Sequence, residues 1–163
     1  ALIAYEKESP DMAMDYLKSL VAEASRRTSD WSYGDSKEGQ DFVEEAMQEY
    51  CYTFYTIGSQ ASYDAFLNLS QFLSKLYPDN MGFINNIGSY YLLKQDYKSA
   101  LKYYDKVLKK HPDDNTAARN AQLAARKMRN VKLEKKYLEL IVKYGSERDR
   151  LMAQGRLDAL GSK

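Results

Sequence analysis

Residues 81–114 read MGFINNIGSYYLLKQDYKSALKYYDKVLKKHPDD, and this stretch decides the fold. Apolar and aromatic residues recur at helical spacing over residues 81–93 and again over residues 97–110. Lys94-Gln95-Asp96 turns the chain between the two segments. His111-Pro112-Asp113-Asp114 closes the second one, because proline lacks the N–H that a helix interior needs. The stretch therefore predicts two antiparallel helices joined by a short turn.

The spacing of two prolines extends this pattern along the chain. Pro78 and Pro112 are each followed by Asp and then by Asn or Asp. The interval between them, about 34 residues with one helix pair in each unit, is typical of the tetratricopeptide repeat. Because one such unit cannot bury its apolar face alone, about three stacked units are needed for stability.

Residues 81–114 resemble the tetratricopeptide family in detail. Four residues match the family's signature outright: Gly88, Tyr91, Ala100 and Pro112. Apolar or aromatic substitutes hold three further signature positions: Ile84, Ile87 and Tyr104. Asp96-Tyr97 is similar to the family's inter-helix turn, with Gln95 in place of the usual glycine. The resemblance implies an all-α fold, an α-α superhelix built as a right-handed solenoid of antiparallel helix hairpins.

Small side chains explain why two helices in this stretch can approach closely. We expect Gly88 and Ala100 to face each other across the helix pair. Three tyrosines, Tyr91, Tyr97 and Tyr104, are expected to fill the seam between the helices. This contact sets the predicted hairpin geometry.

The flanking segments keep the pattern less completely. Residues 47–80 retain Tyr50, Tyr63 and Pro78 but have Phe54 and Phe66 where small residues are expected; residues 115–148 retain Ala118, Ala121 and Ala125 but have Glu134 where alanine is expected. We predict one helical-repeat domain over residues 1–163. It comprises a helical N-terminal segment 1–46, repeats 47–80, 81–114 and 115–148, and a capping helix 146–160 whose Leu151, Leu157 and Leu160 hide the last apolar surface.

The N-terminal segment carries its own helix signals. Ser9-Pro10-Asp11 is a typical helix start, and Met12, Tyr16, Leu17, Leu20 and Val21 recur at helical spacing up to about Arg27. Residues 28–36 are expected to form a loop. Its Trp31 and Tyr33 either contact a partner or fold back onto the domain. Further helices are predicted from Lys37 to Ile57, ended by Gly58-Ser59, and from Ser62 to Tyr77.

Composition and charge limit the classes of protein. The chain has 163 residues, 44% of them hydrophobic and 29% charged, an ordinary globular balance with a single cysteine and hence no internal disulfide. No apolar run approaches the roughly 20 residues of a membrane-spanning helix. The start at Ala1 leaves open both a cytoplasmic protein and one exported after removal of a leader.

Charge is divided unevenly along the sequence. Residues 1–80 have 6 Lys and Arg against 14 Asp and Glu, a net charge of −8, and residues 81–163 have 18 against 9, a net charge of +9. Such a division could steer an acidic partner to the C-terminal half or join copies head to tail. Two solvated faces of different composition are the alternative.

No residue pattern points to catalysis. His111 and Cys51 are the only residues of their kinds, they fall in different repeats, and two such residues cannot make a zinc site. The paired carboxylates Glu44-Glu45 and Asp113-Asp114 are sequence neighbours that point to different sides. There is no glycine-rich phosphate loop. We predict a protein that is not an enzyme and that has no catalytic, metal or cofactor site.

The basic residues between Arg119 and Lys136 raise the question of nucleic acid. No aromatic residues interleave them, and the whole chain is nearly neutral. We therefore favour a solvated helix face or a seat for an acidic peptide, and we predict no nucleic-acid partner.

The tetratricopeptide resemblance also implies where a protein partner binds, because the first helix of each repeat lines a concave groove in that family. The groove residues implied here are Gln48, Cys51, Tyr52, Tyr55, Asn85, Asn86, Ser89, Arg119, Asn120 and Leu123. Asn86 matches the family's usual asparagine, and Asn120 repeats it one period later. The alternative for Tyr52 and Tyr55 is that they only pack against the preceding helices.

Together these features predict a non-enzymatic scaffold that binds a peptide or helix of a partner protein, with an acidic partner as one possibility. The alternative is a structural or assembly module, either a self-associating solenoid or a spacer within a larger chain.

Overall fold

The computed structural model describes residues 10–26 and 37–161, and in these ranges every regular element is an α-helix. The helices are α1 Pro10–Arg26, α2 Lys37–Ile57, α3 Gln60–Leu76, α4 Met81–Leu93, α5 Tyr97–Lys110, α6 Asn115–Lys127, α7 Val131–Tyr144 and α8 Glu147–Gly161. Consecutive helices pack against each other, as in α2 with α3, α5 with α6, and α6 with α7. The predicted all-α fold of packed consecutive helices is confirmed.

The chain forms two compact units, residues 1–83 and residues 84–163, with the boundary inside α4. In the first unit, α1 and α2 both pack against α3. Phe54 and Phe66, the bulky residues at positions where small ones were expected, are both buried. Tyr55 packs edge to face on Phe66 with ring centroids 5.6 Å apart. Aromatic side chains therefore fill the contact between α2 and α3.

Helix α1 buries a face that only partly matches the predicted one. Leu17 and Val21 are buried as expected, together with Ala13 and Met14. The other residues of the predicted apolar set are exposed: Met12, Tyr16 and Leu20. The buried face of α1 is thus rotated by about one residue from the face that the largest side chains predicted. Ser9 and residues 28–36, with Trp31 and Tyr33, lie outside the described residues.

The break between α2 and α3 follows the sequence prediction. Gly58 adopts a left-handed backbone with φ 76°, a conformation that glycine takes without steric cost. The side chain of Ser59 then caps α3 by accepting a hydrogen bond from the N–H of Ser62 at 3.1 Å.

In the second unit, α4 and α5 meet at the predicted small residue. A Cβ atom added at Gly88 would lie 2.7 Å from Cε1 of Tyr104, whose ring is fully buried. Ala100 is also fully buried. Tyr91 stacks on Tyr103 with ring centroids 5.5 Å apart and an interplanar angle of 7°. Gly88 thus lies in close contact with the Tyr104 ring of α5, and the expected contact between Gly88 and Ala100 stays a prediction.

The turn between α4 and α5 has a left-handed residue where the family resemblance implies glycine. Gln95 has φ 59°. The N–H of Asp96 donates back to the carbonyl of Tyr91 at 2.9 Å, and the Asp96 side chain caps α5 by accepting from the N–H of Ser99. This is the helix-ending geometry that glycine usually supports.

The same turn recurs one repeat period later, between α6 and α7. Arg129 has φ 56°, the N–H of Asn130 donates to the carbonyl of Ala125 at 3.0 Å, and the Asn130 side chain caps α7 at the N–H of Leu133. Two turns of matching backbone, separated by one period of the sequence, indicate a true structural repeat in this unit.

The junctions that end each helix pair also recur with this period. The N–H of Tyr77 donates to the carbonyl of Leu73 at the end of α3, and the N–H of His111 donates to the carbonyl of Val107 at the end of α5. Asp114 then caps α6 by accepting from the N–H of Ala117 at 2.8 Å. The proline-containing junctions predicted from sequence are therefore equivalent in backbone structure.

Helix α8 is present, but its packing differs from the prediction. Leu151 is 70% exposed and does not cover apolar surface; Ala153 is the buried residue of this helix. Leu157 and Leu160 are half-buried. The predicted capping role of Leu151 is wrong, because this side chain lies in solvent.

We predict that Gly88→Ala destabilises the protein by about 1–3 kcal/mol, because the new methyl group overlaps the immobile Tyr104 ring. Urea unfolding measures the change. Gly155→Ala is the matched control: nothing lies within 4 Å of a Cβ there, so removing glycine from this helix should stabilise by about 0.5–1 kcal/mol. Equal effects of the two substitutions would contradict the close contact.

We also predict that Gln95→Gly and Arg129→Gly each stabilise the protein by about 0.5–1 kcal/mol, because glycine removes the strain of a left-handed backbone. The shift in urea midpoint tests this. Lys106→Gly on the exposed face of α5 is the control and should destabilise by about 1 kcal/mol.

Candidate functional site

The predicted groove residues of α2 divide into exposed and buried side chains. Tyr52 is 62% exposed. The ring of Tyr55 is partly covered, because it packs against the rings of Tyr63 and Phe66 in the next helix. Cys51 is fully buried and its sulfur accepts a hydrogen bond from the Ser70 hydroxyl at 3.6 Å. The assignment of Cys51 to a binding groove is therefore wrong, since the thiol belongs to the core of the first unit.

The predicted groove residues of α4 are half-buried and partly engaged in internal hydrogen bonds. The Ser89 hydroxyl donates to the backbone carbonyl of Asn85 at 3.1 Å and accepts from the Tyr104 hydroxyl at 3.3 Å. Oδ1 of Asn85 is buried with no hydrogen-bond partner, and Asn86 is half-buried. Ser89 therefore helps to position the Tyr104 ring.

Gln48 of α2 is half-buried. The three predicted groove residues of α6, Arg119, Asn120 and Leu123, lie together in a cleft of about 660 Å³ in the second unit. One wall is α6 and the other is α8, with Leu138 and Ile141 of α7 in the floor. Tyr52 and Tyr55 belong to the first unit. The structure thus brings three of the ten predicted groove residues into a single cavity, and a continuous groove through all three repeats stays a prediction.

The lining of this cleft is basic and apolar. Four arginines line it, Arg119, Arg126, Arg148 and Arg156, against one acid, Asp149. Leu123 and Met152 also line it and are 39% and 65% exposed. Each wall therefore offers an apolar side chain between two guanidinium groups, a combination suited to a ligand with carboxylates and apolar side chains.

The α8 wall is absent from the groove predicted from sequence. Arg148, Met152 and Arg156 follow one another at intervals of four residues, which places them on one face of a helix. This four-residue spacing is the sequence signal from which the α8 wall could have been predicted. The leucines of the same helix obscure it, because they suggest a purely apolar cap.

A buried carboxylate joins the two walls beneath the cleft. Glu134 of α7 is 2% exposed, and it accepts hydrogen bonds from Arg156 at 2.8 and 3.2 Å and from Gln122 at 3.0 Å. Arg156 comes from α8 and Gln122 from α6. The network therefore fixes both walls to α7 and orients one arginine of the cleft.

This network occupies the repeat positions that hold small residues in the preceding helix pair. Gln122 and Glu134 lie one repeat period after Gly88 and Ala100, the two small residues of the α4–α5 pair. At the same repeat positions, the α6–α7 pair holds two long polar side chains that hydrogen-bond to each other. The alanines of α6, among them Ala118, Ala121 and Ala125, are buried.

The ionisation of Glu134 reflects this setting. Burial alone raises the pKa of its carboxyl, but the hydrogen bonds from Arg156 and Gln122 and the charges of Arg156 and Arg126 outweigh burial and lower the pKa below its ordinary value. The carboxylate is thus charged at neutral pH. It neutralises part of the positive charge beneath the cleft.

A second acid is fixed at the start of α8. Asp149 accepts hydrogen bonds from the Ser146 hydroxyl and from Nδ2 of Asn115, both at 2.7 Å, and lies 3.7 Å from Arg119. The hydrogen bonds from Ser146 and Asn115 lower the pKa of Asp149. Arg119, which lines the cleft, therefore has a carboxylate beside it.

Other groups capable of chemistry are scattered over the described residues, 10–26 and 37–161. In these ranges no three His, Cys, Asp or Glu side chains come together as a metal site. His111 is exposed in the turn after α5, and Cys51 is buried. No helix in the same ranges has both the length and the apolar character to cross a bilayer.

Neither the models of known families nor the curated proteins match the chain. The candidate site therefore rests on the geometry of the cleft.

We predict that Glu134→Gln lowers the free energy of unfolding at pH 7 by about 1–2 kcal/mol, because it removes the charge from hydrogen bonds to a buried group. Since the folded-state pKa of Glu134 lies below the unfolded value, its contribution is complete above that value. It is lost as the pH falls below about 4.5 toward the folded pKa.

The advantage of the wild type over Glu134→Gln should therefore shrink between pH 5 and pH 3 in urea unfolding. Glu139→Gln on the exposed side of α7 is the control and should change stability little at either pH. A difference that is constant with pH would contradict the lowered pKa.

Proposed function

We propose that this chain is a tetratricopeptide-like, non-enzymatic interaction module whose arginine-lined cleft binds a helix or extended peptide of a partner protein. The observation that carries the proposal is the composition of the cleft. Its cavity of about 660 Å³ combines exposed apolar side chains with four arginines on two helices. Repeat modules commonly use such concave surfaces between stacked helices for protein recognition.

The charge of the cleft supports an acidic partner. Arg126 and Arg148 are exposed at its edge, while Arg156 is bound to Glu134 and Arg119 lies beside Asp149. The positive edge would speed encounter with an acidic segment and select against a basic one. Leu123 and Met152 would then receive apolar side chains of the bound segment.

The cleft also has a preformed shape. Both walls are connected to α7 through Glu134, and α6 and α8 are regular helices rather than loops. A rigid site loses less conformational entropy when a ligand binds. This favours recognition of a short segment without rearrangement of the module.

A peptide selection tests the proposal. Displayed random peptides of about 16 residues, selected on the full chain, should become enriched in Asp and Glu with spaced Leu or Phe. Arg126→Ala and Leu123→Ala should each weaken binding of the selected peptides by about tenfold, because both side chains line the cleft.

Lys102→Ala on the exposed face of α5 is the control and should leave affinity unchanged. Selection without enrichment of acidic peptides would count against the proposal. Peptide affinity that does not change in Arg126→Ala and Leu123→Ala would also count against the proposal.

A further inference from the structure

Helix α2 carries an exposed surface whose chemistry mirrors that of the cleft. Phe42, Glu45, Glu49 and Tyr52 follow at intervals of three, four and three residues, which places them on one face of the helix. Phe42 is 65% and Tyr52 62% exposed, and both glutamates are exposed. We call these four residues the acidic stripe.

The acidic stripe is unusual for a solvated helix face. Two large aromatic side chains are exposed at its ends, and Tyr and Phe are residue types enriched in protein interfaces. No lysine or arginine follows Lys37 within α2, so the negative charge of the two glutamates is not balanced along this helix.

The acidic stripe and the cleft are complementary in charge, and both combine charged with apolar side chains. The stripe places two carboxylates between two aromatic rings, over about 15 Å of helix. Each cleft wall places one apolar side chain between two arginines, Leu123 between Arg119 and Arg126, and Met152 between Arg148 and Arg156. Guanidinium groups pair with carboxylates and also stack on aromatic faces. The aromatic rings of the stripe can also pack on apolar side chains. One helix face therefore suits both the arginines and the apolar residues of the cleft.

We infer that the acidic stripe of one copy of this chain docks in the arginine-lined cleft of a second copy. This inference rests on the proposed function, because it uses the same cleft, and it names the partner segment. The surfaces that meet are different, so the contact is heterologous and joins copies head to tail, in rings or in open chains. A single helix face in one cleft buries little area, so the association is weak and depends on salt.

Sedimentation velocity of the full chain over a range of protein concentrations tests the inference. At about 20 mM NaCl the wild type should form species larger than the monomer as concentration rises, and at about 500 mM NaCl it should return to the monomer. A wild type that is monomeric at every concentration and salt overturns the inference.

Charge reversal tests the two surfaces separately. Glu45→Lys with Glu49→Lys reverses the acidic stripe, and Arg119→Glu with Arg126→Glu reverses the α6 wall of the cleft. Each double variant alone should be monomeric, because its stripe then meets an α6 wall of the same sign. Lys102→Glu with Lys106→Glu on the exposed face of α5 is the matched control, and it should associate as the wild type does.

The decisive sample is an equimolar mixture of the two reversed variants. The lysine stripe of one variant fits the glutamate cleft of the other, and the native stripe of the second fits the native cleft of the first. Association should therefore return in the mixture. Absence of recovery, or association of either variant alone, overturns the inference.

Circular dichroism and thermal unfolding confirm that each variant is folded. The milder pair Glu45→Gln with Glu49→Gln provides a second test, with weakened association expected and unchanged association contradicting the inference. A monomeric wild type that still binds selected acidic peptides would remove the second copy as partner and keep the proposed cleft. A wild type that neither self-associates nor binds acidic peptides would overturn both this inference and the proposed function.

Discussion

The helix pair of residues 81–110 depends on the absence of one side chain. Because Gly88 has no Cβ, the ring of Tyr104 can lie directly against the backbone of α4, in space that any other residue would fill. The ring is then fully buried, and its hydroxyl reaches Ser89 on the same helix. The spacing between the two helices is thus fixed by an aromatic ring packed on backbone.

In the following helix pair, α6 and α7, the spacing between the helices is fixed by different chemistry. At the repeat positions of the two small residues it holds Gln122 and Glu134, whose long side chains hydrogen-bond to each other. Burying a carboxylate is costly unless it is paired, and Arg156 of α8 provides the pairing. The last helix is therefore held by a charged contact as well as by the small apolar contact at Ala153. This explains how Leu151 can remain exposed without α8 detaching.

Much of the fold follows from local sequence, and the reasons can be named. The bounds of α2, α4 and α5 agree with the predictions because glycine, proline and capping residues end or begin these helices. The turns follow from the repeat period, although neither contains glycine. The left-handed backbone at Gln95 and Arg129 is imposed by the hydrogen bonds of the turn and leaves no signal in the residue type.

The site was less predictable, because it depends on which helix faces meet. The tetratricopeptide resemblance implied a groove position for Cys51, but packing of α2 on α3 buries it. The α8 wall of the cleft was not predicted, since its orientation is set by the contact between Arg156 and Glu134, which are 22 residues apart in the chain. Arg119, Asn120 and Leu123 were implied by the tetratricopeptide resemblance, and the structure places all three along one cleft.

The charged contact beneath the cleft also has a consequence for how this sequence can diverge. Losing Arg156 first would leave a carboxylate buried without its counter-charge, whereas losing Glu134 first would leave an arginine that can still turn toward water. Losing Arg156 first should therefore destabilise the fold more than losing Glu134 first. Related chains with alanine at position 134 should more readily tolerate any residue at position 156, whereas those with an acid there should keep a cation opposite it.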